Sequence, residues 1–163
     1  MNRAVDAVIG GWSLSSSVTL QTGQPLFLTL VNRRIADGNQ RPNILCSHAG
    51  TGISYHHAAA TGESIFNLAC FGDPGDQQPG SAPRYLSNLR LEGIHNVDLG
   101  LRKSFVPHEG TRLEVRLESF NAMNTTRFGN PDVAYGSPTF GQVFTLAPGF
   151  TPRRTQIVAR FEF

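Results

Sequence analysis

Arg112, Glu114, Arg116 and Glu118 set two carboxylates and two guanidinium groups at alternate positions of one short stretch. Carboxylates held beside cations can do general acid–base chemistry. On an extended strand, however, side chains at i, i+2 and i+4 share a face, and the intervening Leu113, Val115 and Leu117 are apolar. Strict alternation therefore reads as a wall of compensating charges backed by a greasy face, with no catalytic role. A second cluster, His48, His56 and His57 near Cys46 and Cys70, offers metal-ligand types, but its spacing matches no usual zinc pattern and no metal site is expected. The two cysteines could bridge if their segment faces an oxidising exterior, and they could equally be two unrelated free thiols. No nucleophile elbow, phosphate loop or metalloprotease motif is present, so catalytic, cofactor-binding and metal sites are all expected to be absent and the chain is not expected to be an enzyme.

The elements that carry these residues must be strands. The chain has 163 residues, a formal net charge of +2 and 16% charged residues, so it shows neither a nucleic-acid footprint nor an acidic tail. With 17 Gly and 10 Pro against 39% hydrophobic residues, the composition favours turns over helices. No stretch approaches the roughly 20 apolar residues of a membrane-spanning helix. The segment Ala4–Trp12 is short and interrupted by Asp6, which does not read as a secretory signal.

Four segments alternate with period two. In Trp12–Leu20 the apolar positions are even, and Leu26, Leu28 and Leu30 keep that phase past Gly23 and Pro25. One strand over about residues 11–31, kinked or bulged in the middle, is the expectation. In 94–106, Val97, Leu99, Leu101 and Phe105 oppose Asn96, Asp98, Gly100, Arg102 and Ser104, with Lys103 breaking the apolar face near its end. A long side chain there can reach a headgroup layer. The tight turn Pro107–Gly110 leads into a strand over 111–123, and a last strand over 153–163 sets Ile157, Ala159, Phe161 and Phe163 against Gln156, Val158, Arg160 and Glu162. Between them, 32–93 and 124–152 hold clusters of turn formers and no sustained period, apart from a short strand expected over Phe140–Leu146.

Long, short, long connections are the asymmetry of a membrane barrel with extended outer loops and tight inner turns. The expected fold is all-β, with antiparallel up-and-down strands forming the C-terminal segment of a transmembrane β-barrel with long external loops, a single partial region over 1–163. Leu113, Val115, Leu117, Ile157 and Ala159 are assigned to lipid, and Arg112, Glu114, Arg116 and Glu118 to the lumen. Trp12, Phe105, Phe120, Phe128, Phe161 and Phe163 lie near strand ends, where aromatics mark membrane interfaces.

Short motifs then occur in a telling order: Gly10-Gly11-Trp12-Ser13-Leu14, Thr22-Gly23-Gln24-Pro25, Arg41-Pro42-Asn43, Phe66-Asn67, Asn96-Val97-Asp98-Leu99, Phe120-Asn121-Ala122-Met123-Asn124, Phe128-Gly129-Asn130-Pro131 and the terminal Phe163. This order resembles the C-terminal end of TonB-dependent outer-membrane receptors of the Oar-like type. The resemblance implies a bacterial outer-membrane transporter whose barrel has about 22 strands around a plug, without a cofactor. It implies as partners the outer-membrane lipid, the remainder of the barrel and plug, the barrel-assembly machinery through a C-terminal strand signalled by Phe161 and Phe163, and TonB through an N-terminal part outside this sequence. With about four strands and neither plug nor export signal, the chain reads as a fragment, since the smallest closed barrels have about 8 strands. The rival reading is a secreted or periplasmic all-β module that binds a glycan or protein through its loops.

Overall fold

The computed structural model describes residues 8–36 and 38–163. The chain divides into two compact units, one comprising residues 1–20, 95–126 and 151–163, the other 21–94 and 127–150. It thus crosses from one unit to the other four times.

The first unit is a four-stranded sheet in the order β1-β7-β8-β10, built from β1 (Trp12–Gln21), β7 (Ile94–Phe105), β8 (Arg112–Phe120) and β10 (Arg154–Glu162). β8 pairs antiparallel with β7 on one side and β10 on the other, an up-and-down arrangement. The turn at 107–110 is closed by Thr111, whose hydroxyl donates to the His108 carbonyl and accepts from the His108 N–H; Gly110, at φ 81°, supplies the left-handed residue such a turn needs. The outer strands β1 and β10 have no further partner strand among the described residues.

The second unit is a folded loop body, where the sequence suggests two aperiodic loops. It holds the short pairs β2 (Pro25–Leu26) with β6 (Leu86–Arg90), β4 (Asn43–Ile44) with β5 (Phe71–Gly72), and the parallel pair β3 (Thr29–Leu30) with β9 (Ala134–Tyr135). The α-helix α1 (Tyr55–Thr61) starts where the Ser54 hydroxyl accepts from the His57 N–H and stops at left-handed Gly62, a normal pair of caps, and a single 3-10 turn follows at Leu68–Cys70. Leu26, Leu28, Ala58, Phe66, Phe71, Leu86, Phe140 and Val143 form its core. Aromatic pairs at centroid distances of 4.9 Å (Phe66–Phe140) and 5.2 Å (Phe71–Phe140) tie the two segments together, and Tyr135 packs edge-on to Phe140 at 5.5 Å within the second.

Two sequence expectations are corrected here. The first strand does not run to residue 31: it ends at Gln21, because Leu26 and Leu28 turn into the loop-body core at 4% and 0% exposure, and Gly23 lies so close to Leu91 that a Cβ would stand 1.6 Å from its carbonyl oxygen. Phe140–Leu146 is a turn with Phe140 and Val143 buried, and Leu146 makes a lone bridge to Phe128.

The loop body closes on itself at its necks. Leu91 N–H donates to the Gln24 carbonyl at 2.8 Å, Phe128 N–H to the Glu92 carboxylate at 2.5 Å, and Ala147 N–H to the Arg127 carbonyl at 3.0 Å.

Candidate functional site

The sheet sorts its side chains into two faces, as the period requires. On one, successive rows across β7, β8 and β10 read Phe105–Leu113–Phe161, Lys103–Val115–Ala159 and Leu101–Leu117–Ile157. Leu99, Leu117, Ile157 and Phe161 are 42–74% exposed, and Trp12, Leu14, Val18 and Leu20 of β1 are 54–74% exposed. Among the described residues of this unit, no second layer covers this apolar face. Contiguous exposed apolar side chains of this kind mark a membrane or protein contact.

The opposite face carries Arg112, Glu114, Arg116 and Glu118 with Arg102, Arg160 and Glu162. Its charges are less simply paired than the alternation suggests. Glu114, 9% exposed, receives Arg116 at 2.5 Å, Arg102 at 3.6 Å and Arg112 at 3.9 Å, whereas Glu118 accepts from the Gln156 amide at 2.6 Å. Gly100 opens a shallow hollow of about 260 Å³ on this face, beside Ser13 and Ser15.

The aromatics separate by position. Trp12, Phe105 and Phe161 gather at the tight-turn end of the apolar face, and the Phe161 and Phe163 rings stack at 6.2 Å. Lys103 sits among them at 5% exposure, its ammonium 5.0 Å from the Trp12 ring and 5.1 Å from Phe105. It donates to the carbonyls of Val8 and Gly10. The lysine is thus satisfied within the sheet by carbonyls and ring faces, and does not need to extend to a headgroup. Phe120 lies at the far end, in register with Arg154 on the charged row. Phe128 is in the loop body, edge-on to His56 at 4.8 Å.

The quoted motifs have a structural reason at the far end. Asp98 accepts from the Asn121 N–H at 2.8 Å and the Asn96 amide at 3.0 Å. Asn121, left-handed at φ 48°, donates its amide to the carbonyls of Thr125 and Thr151 at 3.1 Å each and accepts from Thr125 N–H at 2.9 Å. Asn124 accepts from Arg153 N–H at 3.1 Å. Two asparagines and one aspartate therefore clasp the ends of β7, β8 and β10, a role that motif order alone does not announce.

In the loop body, Cys46 and Cys70 are joined, with Cα atoms 5.2 Å apart, fastening the end of β4 to the start of β5. The three histidines do not gather their rings at the cysteines as a ligand set: His57 pairs with Glu63 at 3.0 Å, His56 lies 3.6 Å from Glu92, and His48 meets the two sulfurs only through its backbone carbonyl, 3.4 Å from each, while its ring is 3.1 Å from the Ser47 hydroxyl. No group of three or more His, Cys, Asp or Glu able to hold a metal is present among the described residues. Asp132 anchors the turn of the second segment, accepting from Thr139 at 2.6 Å and Ala134 N–H at 2.9 Å.

A family model described as an outer membrane beta barrel domain matches residues 1–156. No curated protein and no solved structure matches.

Proposed function

The chain belongs to the outer membrane beta barrel domain family, and we propose on that premise that it forms wall and loop of a TonB-dependent receptor of the Oar-like type, which takes up a ligand across the outer membrane. Membership places the chain in the bacterial outer membrane. The observation that carries the reading is the uncovered apolar face of the four-stranded sheet, backed by a charged face. An open sheet in lipid leaves edge amides and carbonyls unpaired at several kcal/mol each, so β1 and β10 pair with further strands to close the barrel. Leu113, Val115, Leu117, Ile157 and Ala159 then face lipid, and Arg112, Glu114, Arg116 and Glu118 face the lumen.

The turn at 107–110 is periplasmic in this reading and the loop body is external, where a disulfide persists. Phe161 and Phe163 at the periplasmic end address the barrel-assembly machinery. The chain supplies no catalysis. A secreted module is not favoured, because a soluble sandwich would cover the apolar face with a second sheet.

Two measurements test the reading. Cysteines placed at 108 and 56 in the full-length gene product should be labelled from outside at 56 only; labelling at 108 with protection at 56 inverts the topology. Detergent-solubilised outer membranes should yield TonB with the tagged protein, and a barrel recovered without TonB, where a known receptor brings it down, removes the uptake function while leaving the barrel.

A further inference from the structure

The loop body carries a groove that wall, turn and disulfide leave unexplained. It has a volume of about 470 Å³ and is lined by Phe27, Asn39, Arg41, Arg84 and Tyr85, which falls within the roughly 300–1,000 Å³ of small-ligand sites. Its walls are held by backbone and buried side chains. Arg41 N–H donates to the Pro79 carbonyl and Ala82 N–H to the Pro42 carbonyl, both at 3.1 Å. Between them Ser81 N–H donates to the Asn43 side chain and Ser81 Oγ accepts from Ile44 N–H, both at 2.9 Å. Gly80 is required in this strap, because a Cβ there would stand 1.9 Å from the Arg41 carbonyl oxygen. Under Asn39 and Arg41 lies Gln40, 1% exposed, whose amide donates to the carbonyls of Gly75 and Gln78 at 2.8 Å each and accepts from Arg34 N–H at 2.7 Å. On the other wall Phe27 is carried between buried Leu26 and Leu28, with Leu26 opposite Leu86. A groove fixed in this way loses little freedom on binding.

Its chemistry is one-sided. Among the described residues, neither Arg41 nor Arg84 has a carboxylate within ion-pair distance, and the buried Arg41 Nε has no hydrogen-bond partner. A buried donor left unpaired is destabilising, and an acceptor brought by a ligand would relieve it. The Arg84 guanidinium lies 5.5 Å from the Tyr85 ring centroid, and the Phe27 and Tyr85 rings are 6.4 Å apart and inclined at 57°. No parallel slot exists to sandwich a flat aromatic ligand.

We propose that this groove binds a carboxylated saccharide, its carboxylate taken by Arg41 and Arg84 and the C–H face of its ring laid on Phe27 and Tyr85. Guanidinium groups match a carboxylate in planar, two-point geometry. Asn39 can donate to and accept from sugar hydroxyls. A phosphate is less suited, because phosphate sites draw on free backbone N–H groups, and those of Arg41, Ser81 and Ala82 are already given to neighbours. The inference deepens the receptor reading by naming a ligand class, and rests on it only for the ligand's later passage.

The test is calorimetric titration of the full-length gene product, purified in detergent micelles, with trigalacturonate, with maltotriose as the neutral counterpart and with inorganic phosphate. Trigalacturonate should bind saturably and maltotriose at least about tenfold more weakly, and Arg41→Gln, Arg84→Gln and Tyr85→Ala should each lose about tenfold or more, the scale of one charge-assisted bond or one aromatic contact. Glu63→Gln should bind as the parent does. Arg84 and Tyr85 are exposed, so their variants remain informative if Arg41→Gln fails to fold. Absence of saturable binding, equal affinity for the neutral sugar, phosphate binding as tight as the uronate, or unchanged affinity in the Arg84 and Tyr85 variants overturns the proposal. Failure to recover TonB with the protein bears on uptake alone.

Discussion

Three guanidinium groups converge on Glu114 while a single amide holds Glu118, so two carboxylates equivalent in the sequence pattern differ in consequence. Glu114→Gln leaves Arg102, Arg112 and Arg116 facing one another without an anion, and like charges so placed repel. It should destabilise the folded sheet clearly more than Glu118→Gln in urea titrations in lipid vesicles; equal losses would mean that the arginines are neutralised elsewhere. Asp132 is a different case. Burial works against its ionisation, but bonds from Ser137, Thr139 and the Ala134 N–H hold its carboxyl below the ordinary 3.8. A folded-state value below the unfolded one stabilises at pH above the ordinary value and is lost as pH falls through the lower folded value. Protection of the Ala134 amide against hydrogen exchange should therefore be flat from neutral pH downward and fall only in strong acid, and Asp132→Asn should abolish that fall. A decline beginning near neutral pH would assign the dependence to another group.

At the scale of elements, rows of the sheet measure depth. Two residues advance about 6.8 Å along a strand, which at a tilt of about 40° is roughly 5 Å of membrane depth per row. Counting from the Phe105–Leu113–Phe161 row as the interface, the Val115–Ala159 row lies about 5 Å in and the Leu117–Ile157 row about 10 Å in, close to the middle of an apolar band about 25 Å tall. Ile157→Arg should thus cost about 2–4 kcal/mol in vesicle folding titrations and Val115→Arg nearer 1 kcal/mol. The reverse order would show that the row nearest the bilayer centre has been misplaced. These strands were legible because a one-layer wall sits between two uniform media, so each residue reports its own face. The loop body was not, because Leu28, Phe66, Phe71, Phe140 and Val143 meet in its core from widely separated positions, and no sequence window holds enough of them to show a period. Leu26 and Leu28 were misleading for a related reason: an even-numbered phase continues unbroken although the medium around it changes from sheet face to packed core. Ring positions were read from nearness to strand ends alone. Trp12, Phe105 and Phe161 share a face and an end, while Phe120 falls on the charged row and Phe128 in the loop body, since nearness to a strand end says nothing about which face a ring takes.

At the scale of the molecule, the disulfide acts on one unit only. It spans a sequence separation of 24, for which chain-entropy reasoning gives about 3 kcal/mol. Reduction should lower hydrogen-exchange protection across β4, β5 and α1 by that amount and leave β8 unchanged; loss of protection in β8 would show that the units unfold together. The clasp at the ends of β7, β8 and β10 matters in another way. Asp98 of β7 accepts from the Asn121 N–H just past β8, and ahead of β10 the Thr151 carbonyl accepts from the Asn121 amide while the Arg153 N–H donates to Asn124. A hairpin pinned only at its turn can fray at the open end and re-pair two residues out of step with every side chain still on its proper face, an error that hydrophobic patterning cannot detect. Here β8 is pinned to both of its neighbours at a second point, so a slip of about 6.8 Å has to break the clasp. One aspartate and two asparagines thus proofread the alignment of the wall, correcting the one mistake to which a strand of strict period two is blind.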